Sequence, residues 1–174
     1  MAFIQHYNAS LGGILLAADD IGLTGLWFDG EKYFADTLPS EYEERETPIL
    51  AETKHWLDIY FDGHQPNFLP PLHPTGSAFR QEVWDLLLQI PYGQTVTYGE
   101  IARKIAEKRG LNRMSAQAVG GAVGHNEISI IIPCHRVVGA NGNLTGYGGG
   151  IDKKVKLLEL EGVDINRFSL PKIM

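Results

Sequence analysis

The sequence predicts an α/β protein in two parts: a small N-terminal domain with a three-stranded antiparallel sheet and one helix, residues 1–76, and a mostly helical C-terminal domain with a helix-turn-helix, residues 77–174. Three observations predict it. The first 28 residues hold three short apolar runs parted by turn formers, prolines crowd residues 66–74, and helical periodicity dominates from Ser77 onward.

The runs are Phe3 to Tyr7, Gly13 to Ala18 and Gly22 to Phe28, separated by Asn8, Gly12, Asp19 and Asp20, which reads as a meander. A helix follows, with Thr47 as its cap, Pro48 in its first turn, and Ile49, Trp56, Leu57, Tyr60 and Phe61 at helical spacing until Gly63. Pro66, Pro70, Pro71 and Pro74 make a stiff connection and mark the domain boundary. Beyond it Phe79, Val83, Leu86, Leu87 and Ile90 share one helical face, and Pro91 ends the segment.

Thr97 and Glu100 have the spacing of a capping box, in which each side chain satisfies a backbone amide of the first turn, and open a helix running to about Lys108. Gly110-Leu111-Asn112 turns the chain. Ser115 caps the next helix, 116–123, built from small residues: Ala116, Ala118, Gly120, Gly121 and Ala122. Each glycine there costs roughly 1 kcal/mol against alanine, so something other than helix propensity selects it. Either the helix packs tightly inside the protein or its face must come very close to another molecule. Ile128 to Ile132 reads as a buried strand ended by Pro133; residues 139–150 form a glycine-rich loop; a last helix runs from about Asp152 to Glu161 and stops at Gly162.

The net charge of −6 speaks at first against a nucleic-acid partner. The distribution reverses that reading. Residues 1–76 hold 3 Lys and Arg against 12 Asp and Glu, whereas residues 77–174 hold 12 against 9. The basic excess gathers in Arg103, Lys104, Lys108, Arg109 and Arg113, opposed locally by Glu107. No run of 18 apolar residues exists and the opening residues lack the pattern of a signal peptide, so no membrane association and a cytoplasmic or nucleoid-associated location are expected.

One cysteine, Cys134, excludes an internal disulfide and any zinc site needing two thiolates. It is followed by His135 and Arg136. A nucleophilic thiol must be ionised, and an imidazole with a nearby cation are the usual means of lowering its pKa. Neighbours on an extended segment point to opposite sides, so a water between Cys134 and His135 is expected to relay the proton. His135 then needs an orienting carboxylate, and a glutamate at the end of the last helix is the candidate. Cys134 as an inert buried thiol is the other reading of the spacing alone.

The run Pro133-Cys134-His135-Arg136-Val137 resembles the signature of the O6-alkylguanine-DNA alkyltransferases, or methylated-DNA-protein-cysteine methyltransferases. The likeness extends, in order, to Phe79 through Trp84, Ile90 through Gly93, Thr97-Tyr98, Ala118-Val119-Gly120, Gly146 through Gly149, Lys154, Leu157-Leu158 and Glu161. It is dense over residues 77–162 and looser in the first domain, at Leu11-Gly12-Gly13 and Gly22-Leu23. The resemblance implies a ribonuclease H-like first domain and a winged-helix-like second one.

It also implies direct-reversal DNA repair: irreversible, single-turnover transfer of an alkyl group from O6-alkylguanine to Cys134, with O4-alkylthymine as a possible second substrate. The partner is double-stranded DNA bound through the minor groove by a monomer, with no cofactor and no metal. On this likeness His135 reaches Cys134 through water, Glu161 orients His135, and Asn126 holds the turn before the acceptor segment. Tyr98 donates to the extruded guanine. The carbonyls of Cys134 and Val137 accept from its exocyclic amine, the amide of Gly148 meets O6, and Tyr147 shapes the pocket loop. Ala116 and Gln117 lie on the groove-entering helix, and Arg136 is placed with the DNA contacts.

Two residues depart from the family pattern. Gln117 stands where an arginine usually fills the space of the extruded base, implying weaker DNA affinity. Glu127 stands where a proline commonly follows the asparagine, and its carboxylate would either repel phosphate or face solvent. Two competing functions are a damage-recognition protein without alkyl transfer, which the presence of Cys134 disfavours, and an unrelated Cys-His hydrolase, which would need an oxyanion site and repeated turnover.

Overall fold

The computed structural model describes residues 1–144 and 147–169. It is mixed α/β, and the chain divides into two compact units. One contains Met1–Thr75 together with Glu127–Ile131; the other contains Gly76–Asn126 and the chain from Ile132 onward. The short excursion 127–131, expected in the second domain, is therefore part of the first unit.

In the first unit β1 (Ala2–Ala9), β2 (Gly12–Ala18) and β3 (Leu23–Phe28) form the expected antiparallel meander. A fourth strand, β4 (Tyr42–Glu44), was not evident in the sequence and lies parallel to β1, giving the order β3-β2-β1-β4. The pleat of β2 sends Leu15 and Ala17 to one face, where they pack with Ile4 and Trp27 beneath Ala35 and Leu38. Helix α1 (Pro48–Phe61) packs against β1, β2 and β3 and buries Leu50, Thr53, Trp56, Leu57 and Tyr60. Its N-terminus is closed as expected, by Thr47 accepting from the amide of Leu50 at 3.3 Å, a cap typically worth about 1 kcal/mol.

The outer edge of β3 would leave amides and carbonyls unpaired, an invitation to aggregation. Two short segments close it. Leu23 donates to Pro71 and accepts from His73, and Leu26 donates to the Glu127 carbonyl at 2.8 Å and accepts from the Ser129 amide at 3.0 Å. Only one bridge, Leu26 to Ile128, is formed by the second segment. Residues 128–132 are thus a series of turns rather than the strand expected from their composition. Ile130 sits at φ 70°, where a β-branched side chain is strained by about 1–3 kcal/mol. An apolar run signals burial, and here burial is complete; extension needs a partner along the whole run, which this segment lacks.

The second unit stacks α2 (Ala78–Leu87), α3 (Tyr98–Arg109) and α4 (Ala116–Gly124) against one another. The Trp84 indole crosses from α2 to donate to the Ala122 carbonyl of α4 at 2.9 Å. The Thr97–Glu100 capping box is formed, Gly110 closes α3 in the left-handed conformation at φ 67°, and Ser115 caps α4. This is the expected helix-turn-helix. Beyond it a two-residue pairing joins β5 (Val96–Thr97) to β6 (Val137–Val138), and α5 (Ile151–Leu160) closes a smaller core of Val138, Leu144, Leu158 and Val163.

Candidate active site around Cys134

Cys134 does not end a strand. It opens a 3-10 turn, Cys134–Arg136, entered from Pro133 at ψ 66°. The turn is held by the Cys134 amide on the Ile132 carbonyl at 2.8 Å and by Val137 donating back to the Cys134 carbonyl. The Asn126 side chain, itself buried, donates to that same Ile132 carbonyl at 2.7 Å, so both ends of the 127–131 excursion are tied together two residues before the thiol. His135 is completely buried, whereas Cys134 keeps 7% of its surface exposed. The turn buries both side chains, the base completely and the nucleophile all but a sliver of its surface.

Glu161, directly after α5, is the hub. Its carboxylate accepts from His135 Nε2 at 2.6 Å, from Arg136 Nε at 2.8 Å and Nη2 at 3.1 Å, and from the Gly93 amide at 3.0 Å. Burial alone would raise its pKa, but these donors, His135 and Arg136 foremost, hold it well below the usual carboxylate range. Arg136 already supplies a full positive charge in bidentate geometry, so His135 need not be cationic. Burial accordingly pushes the His135 pKa down against the pull of Glu161, and a neutral ring donating through Nε2 has Nδ1 as its basic nitrogen.

Two further groups feel the charge of Cys134. Tyr98, the first residue of α3, has its pKa raised to about 12 by burial and then by Cys134, so the phenol keeps its proton and is able to donate it in a hydrogen bond. Lys154 on α5 is fully buried and donates to the Val137 carbonyl at 2.5 Å; burial lowers its pKa to about 8 while Cys134 opposes the shift. A positive charge coupled electrostatically to a thiol favours the thiolate.

Comparison with known proteins decides what this assembly is. Residues 78–163 match the model of the 6-O-methylguanine DNA methyltransferase DNA-binding domain, and residues 3–74 match that of its ribonuclease-like domain. The chain belongs to the 6-O-methylguanine DNA methyltransferase family. The methylated-DNA–protein-cysteine methyltransferase of Mycobacterium bovis is 54% identical over 160 residues, 90% of this chain and 92% of its own; that of Haemophilus influenzae is 39% identical over 162 residues, 92% and 87%. Among solved structures, Mycobacterium tuberculosis OGT in complex with DNA aligns with a TM-score of 0.78 at 38% identity, covering 95% of this chain and 94% of that one.

Within this methyltransferase fold, α4 presents Ala116, Gln117, Ala118 and Gly121 outward and buries Val119, Ala122 and Val123. The sequence left open whether its glycines serve internal packing. A Cβ at Gly121 or Gly124 would meet nothing within 4 Å, and one at Gly120 would make only an ordinary 3.9 Å contact with the Tyr98 ring. Internal packing therefore does not require them. Tyr147 is buried and Gly148 follows it in a turn; Gly146, part of the same motif, lies outside the described residues.

Arg136 is not a surface DNA contact. It is buried, with Nη1 on the Ile90 carbonyl at 2.7 Å and its other donors on Glu161, because an arginine beside a buried carboxylate is worth more paired than solvated. Val137 is also fully buried, and its carbonyl already accepts from Lys154, leaving one lone pair for a base. Glu127 neither repels phosphate nor faces solvent: it is buried, its Oε2 accepting from the Trp27 indole at 2.8 Å and from the Thr37 hydroxyl at 3.4 Å.

The sequence reading gave Lys154 no role. The available signal was its place on the apolar face of α5 with Leu157 and Leu158, where a charge must have a buried partner. No group of three or more His, Cys, Asp or Glu among the described residues is placed to hold a metal ion.

Proposed function

We propose that the chain repairs O6-alkylguanine in double-stranded DNA by taking the alkyl group onto Cys134, once per molecule. The observation that carries this reading is the Cys134 thiol followed directly by a fully buried imidazole, His135, whose Nε2 is held on the Glu161 carboxylate at 2.6 Å. His135, through a water, removes the thiol proton; Glu161 orients the ring and Lys154 favours the resulting thiolate.

The lesion must leave the base stack to bring its alkyl carbon to the sulfur. Helix α4, with its outward face of alanine and glycine, enters the minor groove, and Gln117 occupies the space of the extruded base. Attack by sulfur forms the C–S bond as the C–O6 bond breaks. The departing electron pair stays on the purine, where the Tyr98 phenol donates a hydrogen bond to the developing charge. The proton taken from the thiol is balanced by one returned to the guanine ring, so the products are a thioether and unmodified guanine. A thioether does not hydrolyse, which makes the reaction stoichiometric, carried out by a cytoplasmic monomer.

Asn126 acts as a positioning residue by holding the Ile132 carbonyl, while Tyr147, Gly148 and the Val137 carbonyl border the base. The test is intact-mass measurement after mixing with an O6-methylguanine oligonucleotide. One added methyl per chain, lost in Cys134→Ser, is expected; no mass gain in the unaltered protein overturns the reading.

A further inference from the structure

Helix α3 has two faces. Ile101, Ala102, Ile105 and Ala106 are buried, and Glu100, Arg103, Lys104, Glu107 and Lys108 form an exposed arc. Arg113, in the turn before α4, is exposed as well. The acidic members of this surface are partly committed: Glu100 is folded back onto the Thr97 amide as half of the capping box. Glu107 lies on the arc and Asp85 lines the same shallow groove as Lys108. Yet no carboxylate among the described residues lies within 4.0 Å of Arg103, Lys104, Lys108 or Arg113.

Arg109 behaves differently. Its guanidinium is held by Glu82 through Nε at 3.0 Å and through Nη2, and lies 5.5 Å from the centre of the Phe79 ring. Five cations lie between residues 103 and 113; among the described residues the structure pairs one of them with a carboxylate and the other four with none.

We infer that Arg103, Lys104, Lys108 and Arg113 form the phosphate-gripping ridge of this protein, contacting the DNA backbone beside the groove that α4 enters. The inference rests on the reading of DNA as the partner. In a helix-turn-helix the helix preceding the reading helix lies across the backbone, and here that helix and the following turn carry the unpaired positive charge. The reading helix itself, 116–124, carries no cation. Its neutral Gln117 and small residues approach the bases closely but cannot release counterions, so the electrostatic share of binding falls to the ridge.

Each phosphate neutralised on duplex DNA contributes about 0.9 to the slope of log affinity against log salt. Duplex binding is therefore measured across a salt series for the unaltered protein, for a variant with all four ridge residues changed to glutamine, and for Arg109→Gln. The ridge variant should lose about 3.6 units of slope, while Arg109→Gln should match the unaltered protein. A ridge variant with an unchanged slope, or an Arg109→Gln variant losing as much slope as a ridge residue, overturns the inference. Methyl uptake by the unaltered protein from O6-methylguanine as a free base, which has no phosphates, judges the repair reading separately.

Discussion

The acceptor turn and the outer face of α4 treat their polar groups in opposite ways. Around Cys134 nearly every donor and acceptor is spent internally: Glu161 takes four hydrogen bonds, Arg136 fastens to Ile90, and Lys154 to Val137. On α4 almost nothing is spent, and Gly121 and Gly124 face open space. One region is preorganised so that chemistry needs no rearrangement, the other is left unfinished so that another molecule can complete it. Substitutions at the first should strike rate and stability together; substitutions at the second should alter binding alone.

The largest effect is expected at the hub. Glu161→Gln leaves Arg136 buried without its counter-charge, which costs about 3–5 kcal/mol of stability, and it should slow methyl transfer by at least ~100-fold; a variant as stable and fast as the parent would break the contrast. The same hub sets an acid sensitivity whose sign follows from both pKa shifts. His135 and Glu161 are each depressed in the folded state, so the unfolded chain binds more protons as the pH falls. Stability should begin to decline below the ordinary histidine value of 6.5 and fall further below the ordinary carboxylate value of 4.5. Denaturant midpoints between pH 8 and 4 measure this, and a midpoint that rises on acidification contradicts it.

Next comes Lys154→Met. With the ammonium gone, the pH at which Cys134 reacts with a simple alkylating reagent should move upward, and transfer at neutral pH should drop by roughly 10-fold. An unmoved pH profile would confine Lys154 to a packing role. On the unfinished face Gln117→Arg should strengthen duplex binding several-fold at low salt and steepen its salt dependence by about 0.9, with little change in melting temperature. The smallest effect belongs to Glu127→Gln, which keeps an acceptor for the Trp27 indole and should cost under about 1.5 kcal/mol. Because this carboxylate is buried, the salt dependence of DNA binding should stay the same; a changed slope would mean that it faces phosphate after all.

Features encoded by neighbours in sequence were legible there. Thr47, Thr97 with Glu100, and Ser115 each cap a helix within four residues of themselves, and all of them do so in the structure. The pairing of His135 with Glu161 was also expected, because a catalytic imidazole needs an orienting acid, and the likeness to the alkyltransferases assigned that part to Glu161 at the end of the last helix. What stayed hidden was set by distant partners. Arg136 looked like a DNA contact because nothing near it in sequence announces Ile90 or Glu161 as its destination. Glu127 looked exposed because its partner, Trp27, stands 100 residues earlier. The strand β4 escaped notice because Tyr42, Glu43 and Glu44 are all exposed and so leave no alternation to read.

Glu161 gathers chain from residues 93, 135 and 136 onto one carboxylate, and it follows all of these and the whole helix-turn-helix in sequence. During synthesis the helix-turn-helix can therefore assemble well before the imidazole acquires its anchor. A nascent chain that has not yet reached Glu161 would present the small-residue helix without a competent sulfur, so commitment to irreversible self-modification waits until the anchoring carboxylate has been made.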